Sequence, residues 1–228
     1  MSGSFVSPAT RQRVRDLATP IARGLGRLGL TPNALTLIGF LGTCVAAFAA
    51  ANQAWLIAGV LVLGFGIFDL FDGTLARATG RATKLGAFLD STFDRAGEAI
   101  VYIGVMAGLQ ATGFANGFLL AAGAMAAAFM VSYTRARSEA LGFTNGTGMA
   151  AVGLMPREVR IVVLSAGLVL ADLLGMRGIN PAPGFNGAGG GIPLGFLALE
   201  ATLAVIAIGA IITTIQRVLH VRAQSREG

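Results

Sequence analysis

The sequence predicts an all-α membrane protein in which six transmembrane helices follow an amphipathic interfacial helix. Three observations support this prediction: an apolar composition, six long apolar runs, and basic residues gathered on alternate connections. Hydrophobic residues occupy 54% of the 228 positions and charged residues only 12%, whereas about 25% of the residues in a soluble globular domain are charged. The lipid bilayer, rather than a protein core, must therefore cover most of the apolar surface.

Six apolar runs are long enough to cross a bilayer, for which a helix needs about 20 residues. Their approximate positions are 35–52, 54–77, 86–112, 116–137, 159–176 and 194–218. Short joints at Asn52-Gln53 and Thr112-Gly113 predict antiparallel hairpins between neighbouring helices. Because the second and third runs carry charged residues, a hydropathy count alone would find only four or five spans.

Residues 1–30 are predicted to form a helix in the membrane interface, ahead of a six-helix bundle at 31–220. Val14, Leu17 and Ile21 recur at three- and four-residue spacing with arginines on the other faces, a pattern typical of interfacial helices. No short apolar stretch with a small-residue cleavage site comes first, so the N terminus does not resemble a cleavable signal. We expect the whole chain to form a single membrane domain.

Basic residues predict the orientation, because cytoplasmic connections of membrane proteins are enriched in Lys and Arg. They are concentrated before the first run, between the second and third, between the fourth and fifth, and after the sixth, whereas the opposite connections carry only Arg177. The sequence therefore predicts an integral protein of the cell membrane with both termini on the cytoplasmic side. These membrane-flanking residues account for the net charge of +6, so nucleic acid is not an expected partner.

Four aspartates lie at helical spacing at the end of the second run and the start of the third. Asp69 and Asp72 are three residues apart, and Asp90 and Asp94 are four apart, so each pair shares one face of a helix. An antiparallel hairpin closed by residues 78–85 would turn these two faces toward each other near the cytoplasmic edge of the bilayer. Ionisable groups at such depth are energetically costly and usually functional.

Four neighbouring carboxylates require protonation, basic partners or bound cations. Only Arg77 and Arg95 are close in the sequence, too few to neutralise four acids. Oxygen ligands without His or Cys favour Mg²⁺ or Mn²⁺, and two such ions would stabilise both the attacking and the leaving oxygens of a phosphoryl transfer. Pairing with arginines across the bundle, or a proton or cation path, is the alternative. Glu98, one turn beyond Asp94, is expected either to orient that aspartate or to pair with a basic group.

The complete pattern is Asp69-x-x-Asp72-Gly73-x-x-Ala76-Arg77, eight residues, then Gly86-x-x-x-Asp90-x-x-x-Asp94. It resembles the signature of the CDP-alcohol phosphatidyltransferase family. The resemblance implies a two-metal enzyme that transfers a phosphatidyl group from CDP-diacylglycerol to an alcohol and releases CMP. It also implies that Asp69, Asp72 and Asp90 bind Mg²⁺ or Mn²⁺, while Asp94 is both a ligand and the general base.

The same resemblance implies a binding site for the CDP moiety. Gly73, Arg77 and Gly86 would contact it. Pro32 and Asn33 resemble part of a short element that often precedes the first span in this family and borders the nucleotide. Members of the family are usually homodimers, so a homodimer is expected here too.

A second set of basic residues is expected at the same membrane level as the aspartates. Guanidinium groups bind phosphate through paired donors, so this set predicts an acceptor alcohol that itself carries a phosphate. Its members are Arg135, Arg137, Arg157, Arg160 and Arg217. Contact with anionic lipid headgroups is the alternative role for these arginines.

Within the family, Ser132-Tyr133-Thr134-Arg135-Ala136-Arg137 and the Gln216-Arg217 ending resemble the actinobacterial phosphatidylinositol phosphate synthases. This resemblance implies inositol 1-phosphate as the acceptor. Arg135 stands where those enzymes often have lysine, so the acceptor is open, and glycerol 3-phosphate, which would make the protein a phosphatidylglycerophosphate synthase, is the alternative. A cation- or proton-coupled transporter is the alternative of another class, although its charges would be expected near the bilayer midplane or in repeated halves.

Overall fold

The structure, a computed structural model, describes residues 19–22, 24–112, 115–143, 149, 152–176 and 193–227. Within these ranges the protein is helical and contains no strand. The long helices are α1 (Pro32–Ala51), α2 (Trp55–Ala78), α3 (Lys84–Ala111), α4 (Ala115–Ala140), α5 (Arg157–Ala171) and α6 (Leu194–Glu227). The predicted all-α class is confirmed, and each of the six predicted runs corresponds to one helix.

Within the described residues, five helices are long and apolar enough to cross a membrane: α1, α2, α4, α5 with its extension to Met176, and α6. Helix α3 is not among them because it carries charged residues as far along as Asp94, Arg95 and Glu98. Six helices therefore lie where the sequence predicted them, but the predicted count of six transmembrane spans is not confirmed.

Helices α1 and α3 begin in the same way, with a threonine cap. The Thr31 hydroxyl accepts a hydrogen bond from the Ala34 N–H at 3.2 Å, and the Thr83 hydroxyl accepts one from the Gly86 N–H at 2.9 Å. Such caps satisfy backbone donors that a helix start leaves open. The two starts lie together, with Asn33 against Gly86, so α1 and α3 are parallel neighbours.

Glycine contacts bring the helices together at the other end of the bundle. A Cβ atom at position 104 would overlap the carbonyl oxygen of Ala47, and one at position 108 would overlap that of Ala50. The backbones of α1 and α3 therefore touch there, as is common where membrane helices pack through small residues. The largest buried apolar cluster, which includes Trp55, lies at this same end.

The end of α5 also contributes to this packing. After Ala171 the helix continues as a π-type turn over Asp172–Met176. The Asp172 carboxylate accepts a hydrogen bond from the Leu56 N–H at 3.4 Å, which supplies the start of α2 with a side-chain cap that Ala54 cannot provide. Asp172 thus has a structural role, which joins the end of α5 to the start of α2.

The predicted interfacial helix at 1–30 is described only in part. Residues 19–22 and 24–27 are helical, and Ala22 is buried in a small cluster with Leu35 and Leu75. Residues 1–18 lie outside the described part of the chain. The helical part thus packs on α1 and α2, and its depth in a membrane stays a prediction.

Candidate active site

A cavity of about 170 Å³ lies where the starts of α1 and α3 meet the end of α2. Its walls combine small apolar residues with polar and charged side chains. They include Pro32, Asn33, Thr36, Asp72, Gly73, Arg77, Arg81, Thr83, Gly86 and Asp90. The structure therefore brings together all five predicted nucleotide-contacting residues and two of the four motif aspartates around one space.

Two of the predicted glycines keep side chains out of this space. A Cβ atom at Gly86 would lie 3.1 Å from the Thr83 hydroxyl and 3.3 Å from the Asn33 side-chain oxygen. A Cβ atom at Gly73 would lie 3.4 Å from a terminal nitrogen of Arg77. Each glycine thus lets a polar side chain lie directly over the helix backbone, which favours close approach of a ligand as well.

Asp72 is the most buried carboxylate of the cavity, with 3% of its surface exposed. One of its oxygens accepts a hydrogen bond from the Thr36 hydroxyl at 2.6 Å, and the other accepts one from the Gly73 N–H. Thr36 was not among the predicted site residues. Its position one turn after Pro32, on the face of α1 that carries the predicted element, was the available indication.

The cavity fits the predicted metal chemistry in its donor types. Asp72 and Asp90 offer carboxylate oxygens from two helices, the ligand type that Mg²⁺ and Mn²⁺ prefer. Among the described residues, no three His, Cys, Asp or Glu side chains converge on one metal-sized site. The side chain of Asp69 lies outside the described part of the structure, and Asp94 lies one turn beyond Asp90. The four-aspartate ligand set therefore stays a prediction.

Asp94 lies farther along the same face of α3. Gly86, Asp90, Asp94, Glu98 and Tyr102 follow one another at intervals of four residues, so they share a stripe along the helix. The Asp94 carboxylate, 14% exposed, forms an ion pair with Arg157 from the start of α5 at 3.0 Å. A longer contact of 3.9 Å joins it to Arg95. The predicted base and one predicted phosphate-binding arginine are thus adjacent.

Glu98 pairs with a basic group, which is one of the two roles left open for it. Arg160 donates to its carboxylate from Nε at 2.7 Å and from Nη2 at 2.8 Å. The remaining terminal nitrogen of Arg160 donates to the Met155 carbonyl at 3.0 Å. Arg160 is 1% exposed, so this pair is closed off inside the bundle.

The other predicted arginines are not gathered around Asp94. Arg217 is buried and donates to the main-chain carbonyls of Val131 and Val152. Arg135 is exposed and pairs with Glu139 at 2.9 Å, and Arg137 is exposed as well. Of the five arginines predicted to bind phosphate, Arg157 alone pairs with Asp94. Arg160 and Arg217 are buried in contacts within the bundle, and Arg135 and Arg137 lie on the surface.

The start of α5 is positioned by α6 through side chains that sequence analysis did not single out for this purpose. The Met155 N–H donates to the Thr213 hydroxyl at 2.8 Å, and the Leu154 N–H donates to the Gln216 side chain at 3.1 Å. Gly153 has a φ of 123° and lies against Thr213, where only glycine fits without strain. These contacts fix the segment that leads directly into Arg157.

The sequence matches the model of the CDP-alcohol phosphatidyltransferase family over residues 29–221. The chain is 34% identical over 212 residues to the phosphatidylinositol phosphate synthase of Streptomyces avermitilis, a match that covers 92% of this chain and 79% of that protein. It is 38% identical over 154 residues to the archaetidylinositol phosphate synthase of Pyrococcus horikoshii, covering 68% of this chain and 77% of that protein.

The fold is similar to crystal structures of the phosphatidylinositol phosphate synthase of Mycobacterium tuberculosis, which is 28% identical in sequence. The structure of that enzyme with CDP-DAG bound matches with a TM-score of 0.71 and covers 90% of this chain and 94% of that one. Its complex with manganese and citrate matches with a TM-score of 0.70, covering 90% and 88%.

Proposed function

The chain belongs to the CDP-alcohol phosphatidyltransferase family, and we propose that it transfers the phosphatidyl group of CDP-diacylglycerol to inositol 1-phosphate, giving phosphatidylinositol phosphate and CMP. Membership of this family makes the protein an enzyme, which excludes the alternative of a cation- or proton-coupled transporter. The observation that carries the specific proposal is the arrangement along α3. Asp90 borders the cavity with the predicted nucleotide contacts, and Asp94, one turn farther on, is paired with Arg157.

The cavity suits the CDP end of the donor. Arg77 and Arg81 offer positive charge to the diphosphate, and Gly73 and Gly86 leave room for it at the helix surface. Asp69, Asp72, Asp90 and Asp94 would hold the two Mg²⁺ or Mn²⁺ ions. When bound, these ions supply charge neutralisation on the oxygens of the transferred phosphoryl group. The Thr36 hydroxyl fixes the Asp72 carboxylate for this purpose.

The acceptor would lie against Asp94 and Arg157, which are side by side. Arg157 would bind the phosphate of inositol 1-phosphate through charge-assisted hydrogen bonds, and Asp94 would take the proton from the attacking hydroxyl group. A new bond forms between that hydroxyl oxygen and the phosphorus of the phosphatidyl group. The bond from this phosphorus to the CMP oxygen breaks, and CMP leaves with the bonding electrons.

The relatives support inositol 1-phosphate over glycerol 3-phosphate. The two curated relatives described above differ in the lipid part of their names, phosphatidyl and archaetidyl, yet both names specify inositol phosphate. We further propose that residues 1–228 act as one membrane domain, with an interfacial helix at 1–30 and the bundle at 31–220. The active site and both termini would face the cytoplasm, and the protein would be a homodimer.

The acceptor is identified by testing candidate alcohols one at a time with the purified protein. The protein in lipid nanodiscs receives CDP-diacylglycerol and Mn²⁺ or Mg²⁺, together with inositol 1-phosphate, inositol, glycerol 3-phosphate or serine. We expect CMP release and a phosphatidylinositol phosphate product with inositol 1-phosphate. Lipid product with glycerol 3-phosphate alone would reject the acceptor proposal. The Asp94→Asn variant serves as the control, with a turnover lower by about 10²–10⁴-fold if Asp94 is the base.

A further inference from the structure

Two carboxylate–arginine pairs join α3 to α5. Asp94 and Glu98 are four residues apart on α3, while Arg157 and Arg160 are three apart on α5, so each helix presents its two groups on one face. Arg157 reaches Asp94, and Arg160 reaches Glu98. Along the described residues, the backbones of α3 and α5 do not pack closely, and a cavity of about 30 Å³ lies beside the two arginines. Side chains therefore make the direct link between α3 and α5, while the backbone of α5 packs on α2 and α6.

The two pairs differ in geometry and exposure. The inner pair, Glu98–Arg160, has two hydrogen bonds of 2.7 and 2.8 Å, and the Met155 carbonyl accepts a third from Arg160. The outer pair, Asp94–Arg157, is joined at 3.0 Å by side chains that are 14% and 21% exposed. A bidentate pair fixes both the distance and the relative orientation of its groups. The inner pair thus holds the two helices in a fixed relative orientation. The outer pair lies nearer the cavity that Asp90 borders.

Glu98 also controls the charge around Asp94. Arg95 lies 3.6 Å from the Glu98 carboxylate and 3.9 Å from that of Asp94. Without the negative charge at position 98, Asp94 would be the nearby carboxylate left to attract Arg95, Arg157 and Arg160. At these distances, attraction between unit charges at a partly buried site is strong, because the surroundings screen it less than water does. The Asp94 side chain would then be drawn away from the geometry that the reaction needs.

We propose that Glu98 and Arg160 form a positioning pair for the acceptor half of the reaction. The pair holds α5 against α3 so that Asp94 and Arg157 stay side by side, where they meet the hydroxyl group and the phosphate of one acceptor molecule. Glu98 and Arg160 touch neither substrate. This inference rests on the proposed function, and it gives Arg160 a role different from the phosphate contact predicted from the sequence.

The test compares steady-state kinetics of variants at the two positions. Glu98→Gln is expected to lower kcat/KM for inositol 1-phosphate by roughly 10–100-fold, since a small misplacement of reacting groups has effects of this size, and to leave the KM for CDP-diacylglycerol unchanged. Arg160→Lys should be as harmful as Arg160→Gln, because an ammonium group cannot form the bidentate pair. Glu158→Gln, which removes an exposed carboxylate from the same part of α5, is the matched control and should behave as wild type.

A double-mutant cycle separates positioning from direct contact. If the residues act as one pair, Glu98→Gln/Arg160→Met should be no worse than either single change. The double variant also leaves no unpaired buried charge, so it remains informative if a single variant fails to fold. Effects that multiply, or an Arg160→Lys variant with the wild-type KM for inositol 1-phosphate, would overturn the inference. So would Glu98→Gln kinetics equal to those of Glu158→Gln. A wild-type protein without product from inositol 1-phosphate would instead reject the proposed function.

Discussion

The two ends of one face of α3 contain acidic residues in opposite surroundings. Near the start of the helix, Asp90 borders a cavity that Gly86 and the start of α1 leave open. Two turns farther on, Glu98 accepts two hydrogen bonds from the buried Arg160. Asp94 lies between them along the helix and pairs with Arg157. The neighbouring helices, rather than the acid itself, thus decide whether a carboxylate faces a ligand or is neutralised by the protein.

The largest effect is expected at the open end of this face of α3, where the cavity acids should be essential for activity. Asp90→Asn should lower CMP release by roughly 10³-fold or more, because several kcal/mol of transition-state charge stabilisation depends on metal held there. Titration with Mn²⁺ in the absence of substrates, followed by electron paramagnetic resonance, should show that the variant binds the metal more weakly than the wild type. Asp172→Asn is the control, since the amide oxygen can still accept the bond from Leu56. An Asp90→Asn protein that binds Mn²⁺ and turns over normally would contradict the assignment.

A smaller effect is expected when the open end is narrowed. Gly86→Ala places a methyl group against Thr83 and Asn33, and the KM for CDP-diacylglycerol should rise about tenfold, a change of about 1.4 kcal/mol. Thermal stability should change little, because the better helix propensity of alanine, up to about 1 kcal/mol, is opposed by the close contacts of its methyl group with Thr83 and Asn33. Gly123→Ala on α4, where a Cβ would meet nothing within 4 Å, is the matched control. Equal KM values for the two variants would show that the cavity does not receive the donor.

The smallest effect concerns the orientation of one cavity acid. Thr36→Val keeps the side-chain shape and removes the hydrogen bond to Asp72, so kcat should fall roughly fivefold, as expected for the loss of about 1 kcal/mol. Thr214→Val removes a hydroxyl that bonds to its own helix at Ala210 and should leave kcat unchanged. If Thr36→Val and Thr214→Val have the same kcat, the hydrogen bond from Thr36 does not orient Asp72 for the reaction.

The sequence located the helices well because its evidence for them is local. Apolar runs and turn residues predicted all six helices, but their ends are less accurate. Helix α6 continues to Glu227 rather than 218, since its last residues are polar yet still form a helix. The run at 159–176 conceals the irregular turn that begins at Asp172, because the turn is as apolar as the helix before it. The five residues expected from the family resemblance to contact the nucleotide line one cavity, and their contact with CDP stays a prediction.

The partners of the arginines could not be predicted from the sequence. Arg157, Arg160 and Arg217 are all basic residues beside apolar runs, and hydropathy treats them alike. In the structure one faces Asp94, one is enclosed by Glu98, and one binds main-chain carbonyls. These outcomes depend on the distance between helices that are far apart in the chain. Thr213 and Gln216 were missed for the same reason, since their partners lie about 60 residues away in sequence.

The glycine contacts at the far end of α1 and α3 have a consequence for the cavity at the near end. Gly104 and Ala47 form one of the closest backbone contacts between the two helices, and Gly86 lies 18 residues earlier, about 27 Å along the axis of α3. Over this length, a tilt of α3 by about 2° at Gly104 moves its start, which forms the cavity wall, by about 1 Å. A methyl group added at Gly104 would therefore change the width of a site that it does not touch.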